Sequence, residues 1–249
     1  MKAGQPMNHL DYYQFQAQAR GVHTLQDVER GARDKAHLYR QIASRWLPAD
    51  LDSPIAELAC GHGSFLCWLR EAGYRRVHGV DSSPEQIALA RQVGGVLVAT
   101  ADVITWLEQQ PELRWETLVA IDLIEHISKD ELMALLAGAR RALRPGGRLI
   151  LRYPNGDSPL VGLNLFNDIT HVWTYTSNCL TSLSQMHGFA RTEFIDESSA
   201  AIRDHRWLKV PLCRISQFLL GSLFQAAGKE KVPSWSPQLW ACLEKARGR

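Results

Sequence analysis

Short apolar runs alternate with amphipathic stretches from about residue 55 to residue 196. IAEL (55–58), VHGV (77–80), GVLVAT (95–100), ETLVAI (116–121), RLILRY (148–153) and RTEFID (191–196) read as strands. The segments between them read as helices. Phe65, Leu66 and Leu69 fall on one side of 64–72, and Ser83 caps a helix opening with Pro84 and Glu85. The helix over 129–143 runs into Arg144-Pro145-Gly146-Gly147, and Gly188 closes the one over 178–189. Such alternation predicts an α/β fold: a doubly wound, mostly parallel sheet covered on both faces. Leu38, Ile42 and Trp46 recur at helical spacing before Pro48, so residues 1–50 read as a helical N-terminal cap. Residues 51–199 form the main domain and 200–249 a helical C-terminal extension. A seventh strand is expected near WLKV (207–210) if the sheet closes with a hairpin, and 229–249 reads as an exposed tail. Residues 154–175 make a long connection with little regular pattern, a place where function tends to sit in these sheets.

The chain has 249 residues, 45% of them hydrophobic, enough for one sizeable domain with additions. Its formal charge is +2, from 28 basic and 26 acidic residues, so no basic surplus argues for a nucleic-acid partner. MKAGQPMNHLDYYQ lacks the apolar stretch of a secretion signal, and no run reaches the roughly 20 apolar residues of a spanning helix. Five cysteines, an odd number without a CxxC pair, fit a reduced, cytoplasmic protein.

Candidate chemistry begins where the first strand ends, in ELACGHGSF (57–65). Small residues leading from a strand into a helix let a ligand approach the backbone and offer it helical N–H groups. The third glycine of a dinucleotide turn is missing, and so is the Gly-Lys-Ser/Thr of a P-loop. The E-x-A-x-G-x-G pattern resembles motif I of the class I S-adenosylmethionine-dependent methyltransferases, with Ala59 replacing its first glycine. Asp81 ends the second strand, Asp102-Val103 follow the third, and LRPGGRLILRYPN (143–155) is similar to that family's helix–turn–strand. The resemblance implies a Rossmann-like fold and a site for S-adenosylmethionine made by Glu57, Ala59, Cys60, Gly61, Gly63, Asp81, Ser82, Asp102, Val103 and Ile121. Asp81 would take the ribose hydroxyls and Asp102 the adenine amino group. Glu57 would favour the ammonium, and a bulkier residue at 61 or 63 would occupy the cofactor's space.

A hydroxyl acceptor must lose its proton, which calls for a base or a metal. Asp122, Glu125 and His126 follow the fourth strand in AIDLIEHI, and His171 lies on the long connection. These four are the candidate catalytic residues. They also make a candidate site for Mg²⁺, Mn²⁺ or Zn²⁺, similar to the metal set of RNA 3′-end 2′-O-methyltransferases and ubiquinone-pathway O-methyltransferases, with Asp122 in place of a Glu. A metal-free histidine base and simple positioning remain open beside it. RYPNGDSP (152–159) and NDITHVWTYT (167–176) resemble methyltransferases of bacterial surface-polysaccharide (O-antigen/LPS) synthesis, which implies a sugar or glycan hydroxyl as acceptor. Trp173 and Tyr175 read equally as sugar platforms or as loop core. A phenolic or quinone-like metabolite is the second acceptor class, and a non-catalytic cofactor-binding regulator the third reading. Ile215, Leu219 and Leu223 form an apolar stripe flanked by Arg203, Arg206, Lys209 and Arg214. It reads as a lid, a homodimer face or a peripheral membrane contact.

Overall fold

The computed structural model describes residues 22–197, 210–226 and 234–248. Its sheet contains β1 (Ile55–Leu58), β2 (Val77–Asp81), β3 (Val96–Thr100), β4 (Trp115–Ile121), β5 (Leu143–Pro154), β6 (Phe189–Asp196) and β7 (Gln238–Lys245). Their spatial order is β3-β2-β1-β4-β5-β7-β6. The first five strands pair in parallel, and β7 runs antiparallel between β5 and β6.

The seventh strand is the main departure from the sequence reading. It comes from residues read as an exposed tail, and Leu239 through Leu243 are buried. Residues 207–209 lie outside the described residues, and Val210 begins a helix. The C-terminal segment is thus not only a helical extension: its last part completes the sheet.

Among the described residues the helices are α1 (Leu25–Asp34), α2 (Ala36–Trp46), α3 (Ser64–Glu71), α4 (Pro84–Ala90), α5 (Val103–Glu108), α6 (Lys129–Ala142), α7 (Gly162–Leu165), α8 (Ser177–Met186) and α9 (Val210–Ala226). Both faces of the sheet are covered, so its strands alternate between two apolar clusters. Ala56, Leu118 and Leu149 pack with α5, α6 and Leu180 of α8; Ile55, Val119 and Ile150 pack with α1 to α4. That alternation fixes Glu57, between Ala56 and Leu58, on the α1–α4 side. Thr24 and Asp27 cap α1 reciprocally, and Ser128 and Glu131 do the same for α6.

Parallel pairing brings the carboxyl ends of β1, β2, β4 and β5 to one edge. The order reverses between β1 and β4, the place where open α/β sheets form a ligand crevice. The long connection after β5 is fastened over that edge. Asn155 bridges to Tyr175, its amide donates to Ser234 Oγ (2.9 Å) and the Ser236 carbonyl (2.8 Å), and Ser158 donates to the Trp235 carbonyl. Asn155 and Ser158 of the RYPNGDSP stretch therefore hold the scaffold. Tyr175 is buried core, whereas Trp173 is half-exposed with the Lys129 ammonium 3.9 Å over its ring.

Candidate functional site

A cavity of about 690 Å³ opens at the strand reversal, within the range of small-molecule sites. Glu57, Ala59, Cys60, Gly61, Asp81, Ser82, Asp102, Val103 and Ile121 line one part of it, and Asp122, Glu125, His126 and His171 another. The turn after β1 uses three left-handed residues, Ala59 (φ 56°), Gly61 (φ 53°) and Gly63 (φ 87°). Gly63 does not line the cavity. A Cβ there would lie 3.1 Å from Ala90 Cβ, and one on Gly61 would lie 2.7 Å from Gln86 Oε1. The expectation that bulk would fill ligand space does not apply to Gly63, which meets positive φ and close packing on α4, whereas Gly61 lines the cavity beside Gln86.

Asp81 organises that turn. Its Oδ2 accepts from Gly61 N and its Oδ1 from Ser83 N, both at 2.8 Å. Burial pushes its carboxyl above the usual range against those bonds. Asp102 Oδ1 accepts from Thr105 N at 2.9 Å and caps α5, which fixes Val103 at the helix start. Cys60 is a buried wall residue, and burial pushes the pKa of its thiol up.

Glu57 is buried, and its Oε2 has no hydrogen-bond partner among the described residues. Desolvation raises its pKa well above the carboxylate range, and the nearby Lys35 opposes this. An orphaned buried carboxylate oxygen facing a cavity suits an incoming cation. Lys35, at the junction of α1 and α2, lines the same cavity with Tyr39 and Gln86. None of these three carried a local sequence signal, because only tertiary packing brings them there.

At the other end, Glu125 O accepts from Val172 N at 2.7 Å and so draws the long connection to the end of β4. His126 and His171 then meet with ring centroids 4.6 Å apart. Glu125, His126 and His171 offer ligand atoms within 4.8 Å of one another. Asp122 is not in that group. It holds φ 52°, and both its oxygens accept from Arg152 Nη1, at 2.5 and 2.6 Å. Arg152 is partly buried and also binds Glu197, which accepts from Trp240 Nε1 at 2.8 Å. The Asp122 carboxylate is thus committed to Arg152, which removes it as a metal ligand or base.

His171 Nδ1 lies 3.0 Å from the Leu165 carbonyl, which only accepts, so Nδ1 carries a proton and donates it there. Burial, reinforced by His171, lowers the pKa of His126 to about 4, so His126 is neutral at pH 7. Glu125 is buried, and its pKa is raised well above the carboxylate range by desolvation and by Asp122. One cavity therefore brings the buried Glu57 carboxyl together with the imidazoles of His126 and His171.

Residues 55–147 match the family described as Methyltransferase domain. The structure superposes on an S-adenosylmethionine-dependent methyltransferase from Archaeoglobus fulgidus with a TM-score of 0.66, at 20% identity over 94% of this chain and 99% of that one. The fold is the class I methyltransferase fold, and residues 55–147 are the part that matches the family. A Thermotoga maritima protein described as a possible histamine N-methyltransferase superposes with a TM-score of 0.61, at 15% identity over 95% of this chain and 98% of that one. In sequence, the chain is 28% identical over 176 residues to a tRNA U34 carboxymethyltransferase of Cellvibrio japonicus. That match takes in 64% of this chain, which spans about half (52%) of the relative's length.

Proposed function

We propose that this protein is an S-adenosylmethionine-dependent methyltransferase that methylates a neutral hydroxyl of a sugar or glycan, with His126 as the base. The observation that carries this is the meeting, in one cavity, of the Glu57–Asp81–Asp102 cradle with His126 and His171. The cradle's chemistry fits the donor. Glu57 Oε2 takes the ammonium, Lys35 faces the carboxylate, and Asp81 takes the ribose hydroxyls. The donor supplies a methyl already activated on a sulfonium. A C–O bond forms as the C–S bond breaks, and the hydroxyl proton passes to His126 Nε2. The protein's task is alignment, exclusion of water and acceptance of that proton.

Glu125, Asp168, Asn164 and Asn167 line the cavity with the two histidines beside the apolar Leu123, Ile127 and Leu135, and these hydrogen-bonding groups support a hydroxylated acceptor. Lys35 is the only lysine or arginine among the described lining residues and lies beside Glu57, so the described acceptor end offers no cation to a phosphorylated sugar nucleotide. A free or lipid-linked glycan fits better. The exposed apolar face of α9, with Phe218 73% and Leu223 66% exposed, supports contact with an anionic membrane surface carrying such a glycan. Residues 203 to 231 carry six basic residues against Asp204 and Glu230, which suits that surface.

Metal assistance is the second reading, favoured by the convergence of Glu125, His126 and His171. A divalent ion there would acidify the bound hydroxyl. One assay addresses both readings: purified protein, S-adenosylmethionine and an acceptor panel of neutral glycans, sugar nucleotides, catechols and amines, with and without chelator. Turnover on a neutral glycan that survives chelation and falls by about 10²-fold or more in His126→Ala supports the base. Turnover lost on chelation supports the metal, and activity confined to amines contradicts the hydroxyl acceptor.

A further inference from the structure

We infer that Thr170 and Asp168 are positioning residues that fix His126 in the Nδ1–H tautomer, making Nε2 its acceptor nitrogen. The inference deepens the proposed role of His126 and rests on that reading for its catalytic meaning. It follows from counting hydrogens. Asp168 Oδ1 accepts from Thr170 Oγ1 at 2.6 Å and from Thr170 N at 2.9 Å. A threonine hydroxyl has one hydrogen, and an ionised carboxylate has none to give. With that hydrogen directed to Asp168, Thr170 Oγ1 is an acceptor toward His126 Nδ1, 2.8 Å away. The ring proton is therefore on Nδ1.

Asp168 and Thr170 are both buried, so water competes poorly for these bonds. The segment is also held in place, since His171 N donates to the Asp168 carbonyl and Val172 N to that of Glu125. His126 and His171 reach the same state by different routes: Thr170 fixes one ring and the Leu165 carbonyl the other. When His126 takes a proton, the chain Nδ1–H to Thr170 to Asp168 places the new positive charge two hydrogen bonds from a carboxylate.

The test is long-range ¹H–¹⁵N correlation NMR on ¹⁵N-histidine-labelled, chelator-treated full chain at pH 7.5, with the His126 signals assigned by their loss in His126→Gln. It needs no acceptor. The expected wild-type spectrum shows His126 with a pyrrole-type Nδ1 and a pyridine-type Nε2. Thr170→Ser keeps the hydroxyl and keeps that pattern. Thr170→Val removes the acceptor, and Asp168→Asn lets the amide donate to Thr170 so that the hydroxyl turns to Nδ1. Both should move His126 toward the Nε2–H form. A wild-type ring protonated on Nε2, or a tautomer unchanged in Thr170→Val, overturns the inference, and the wild-type spectrum decides even if a variant does not fold. If the tautomer is as stated but His126→Ala keeps full turnover, the relay stands and the base assignment fails.

Discussion

Ala59, Gly61 and Gly63 hold positive φ in a span of five residues, and only one of them is not glycine. A left-handed conformation costs an L-residue about 1–2 kcal/mol. Ala59 carries that cost where the resembled motif has glycine. Gly63 has a second constraint, because an added methyl would press on the Cα and Cβ of Ala90 at 3.2 and 3.1 Å. Gly63→Ala should therefore destabilise the fold by about 2 kcal/mol or more, read as a lowered denaturant midpoint. Stability equal to wild type would mean that the turn relaxes. This stretch was legible in the sequence because its signal is local: small residues, a strand before and a helix after. Asp81 and the pair Glu125-His126 were legible for the same reason, each lying at or just past a strand's end. Lys35 was not, since nothing beside it in the chain marks a helix junction that folds over β1. Asp122 was misread as a ligand because its partner Arg152 lies on another strand, 30 residues away.

At the level of elements, the cross-links between β4, β5 and β7 decide how rigid the acceptor end is. Arg152 on β5 joins Asp122 after β4 to Glu197 after β6, with Trp240 of β7 completing the set. Desolvation lowers its pKa, but the charges of Asp122 and Glu197 outweigh that and hold it above the ordinary arginine value. Arg152→Met would leave both carboxylates without their cation, at a cost of about 2–3 kcal/mol, below that of a fully buried pair because Asp122 is 37% exposed. Thermal unfolding checks this, and a loss below about 1 kcal/mol would mean that solvent already screens the pair. The alternating strands and helices from 55 to 196 were legible because each strand is flanked by its own helix and turn. β7 was missed although LWACL (239–243) is a continuous apolar run. No helix follows it, and its partners, β5 and β6, lie far back in the sequence. A strand defined only by distant partners gives little sign of itself in a local pattern.

For the molecule as a whole, the cradle and the histidine pair face one cavity, and α9 lies beside the segment that borders it. Phe224 of α9 meets Trp235 at 6.3 Å between ring centroids, and Ser158 at the start of the long connection binds the Trp235 carbonyl. No helix among the described residues is long and apolar enough to cross a membrane. Surface contact through α9 predicts co-sedimentation with anionic vesicles at low salt, lost in Phe218→Glu/Leu223→Glu and weakened by high salt. Equal binding to neutral vesicles would contradict the basic contribution, and no binding at all would return α9 to the roles of lid or dimer face.

The central claim is that the cradle between β1 and β4 binds the methyl donor. It is tested most directly by calorimetric titration with S-adenosylhomocysteine, on wild type and on Glu57→Gln and Asp81→Asn. The account predicts one site of micromolar affinity, weakened in each variant by about 10-fold or more, the size of a lost charge-assisted hydrogen bond. Absence of binding by folded wild-type protein, or affinity unchanged in both variants, would contradict it.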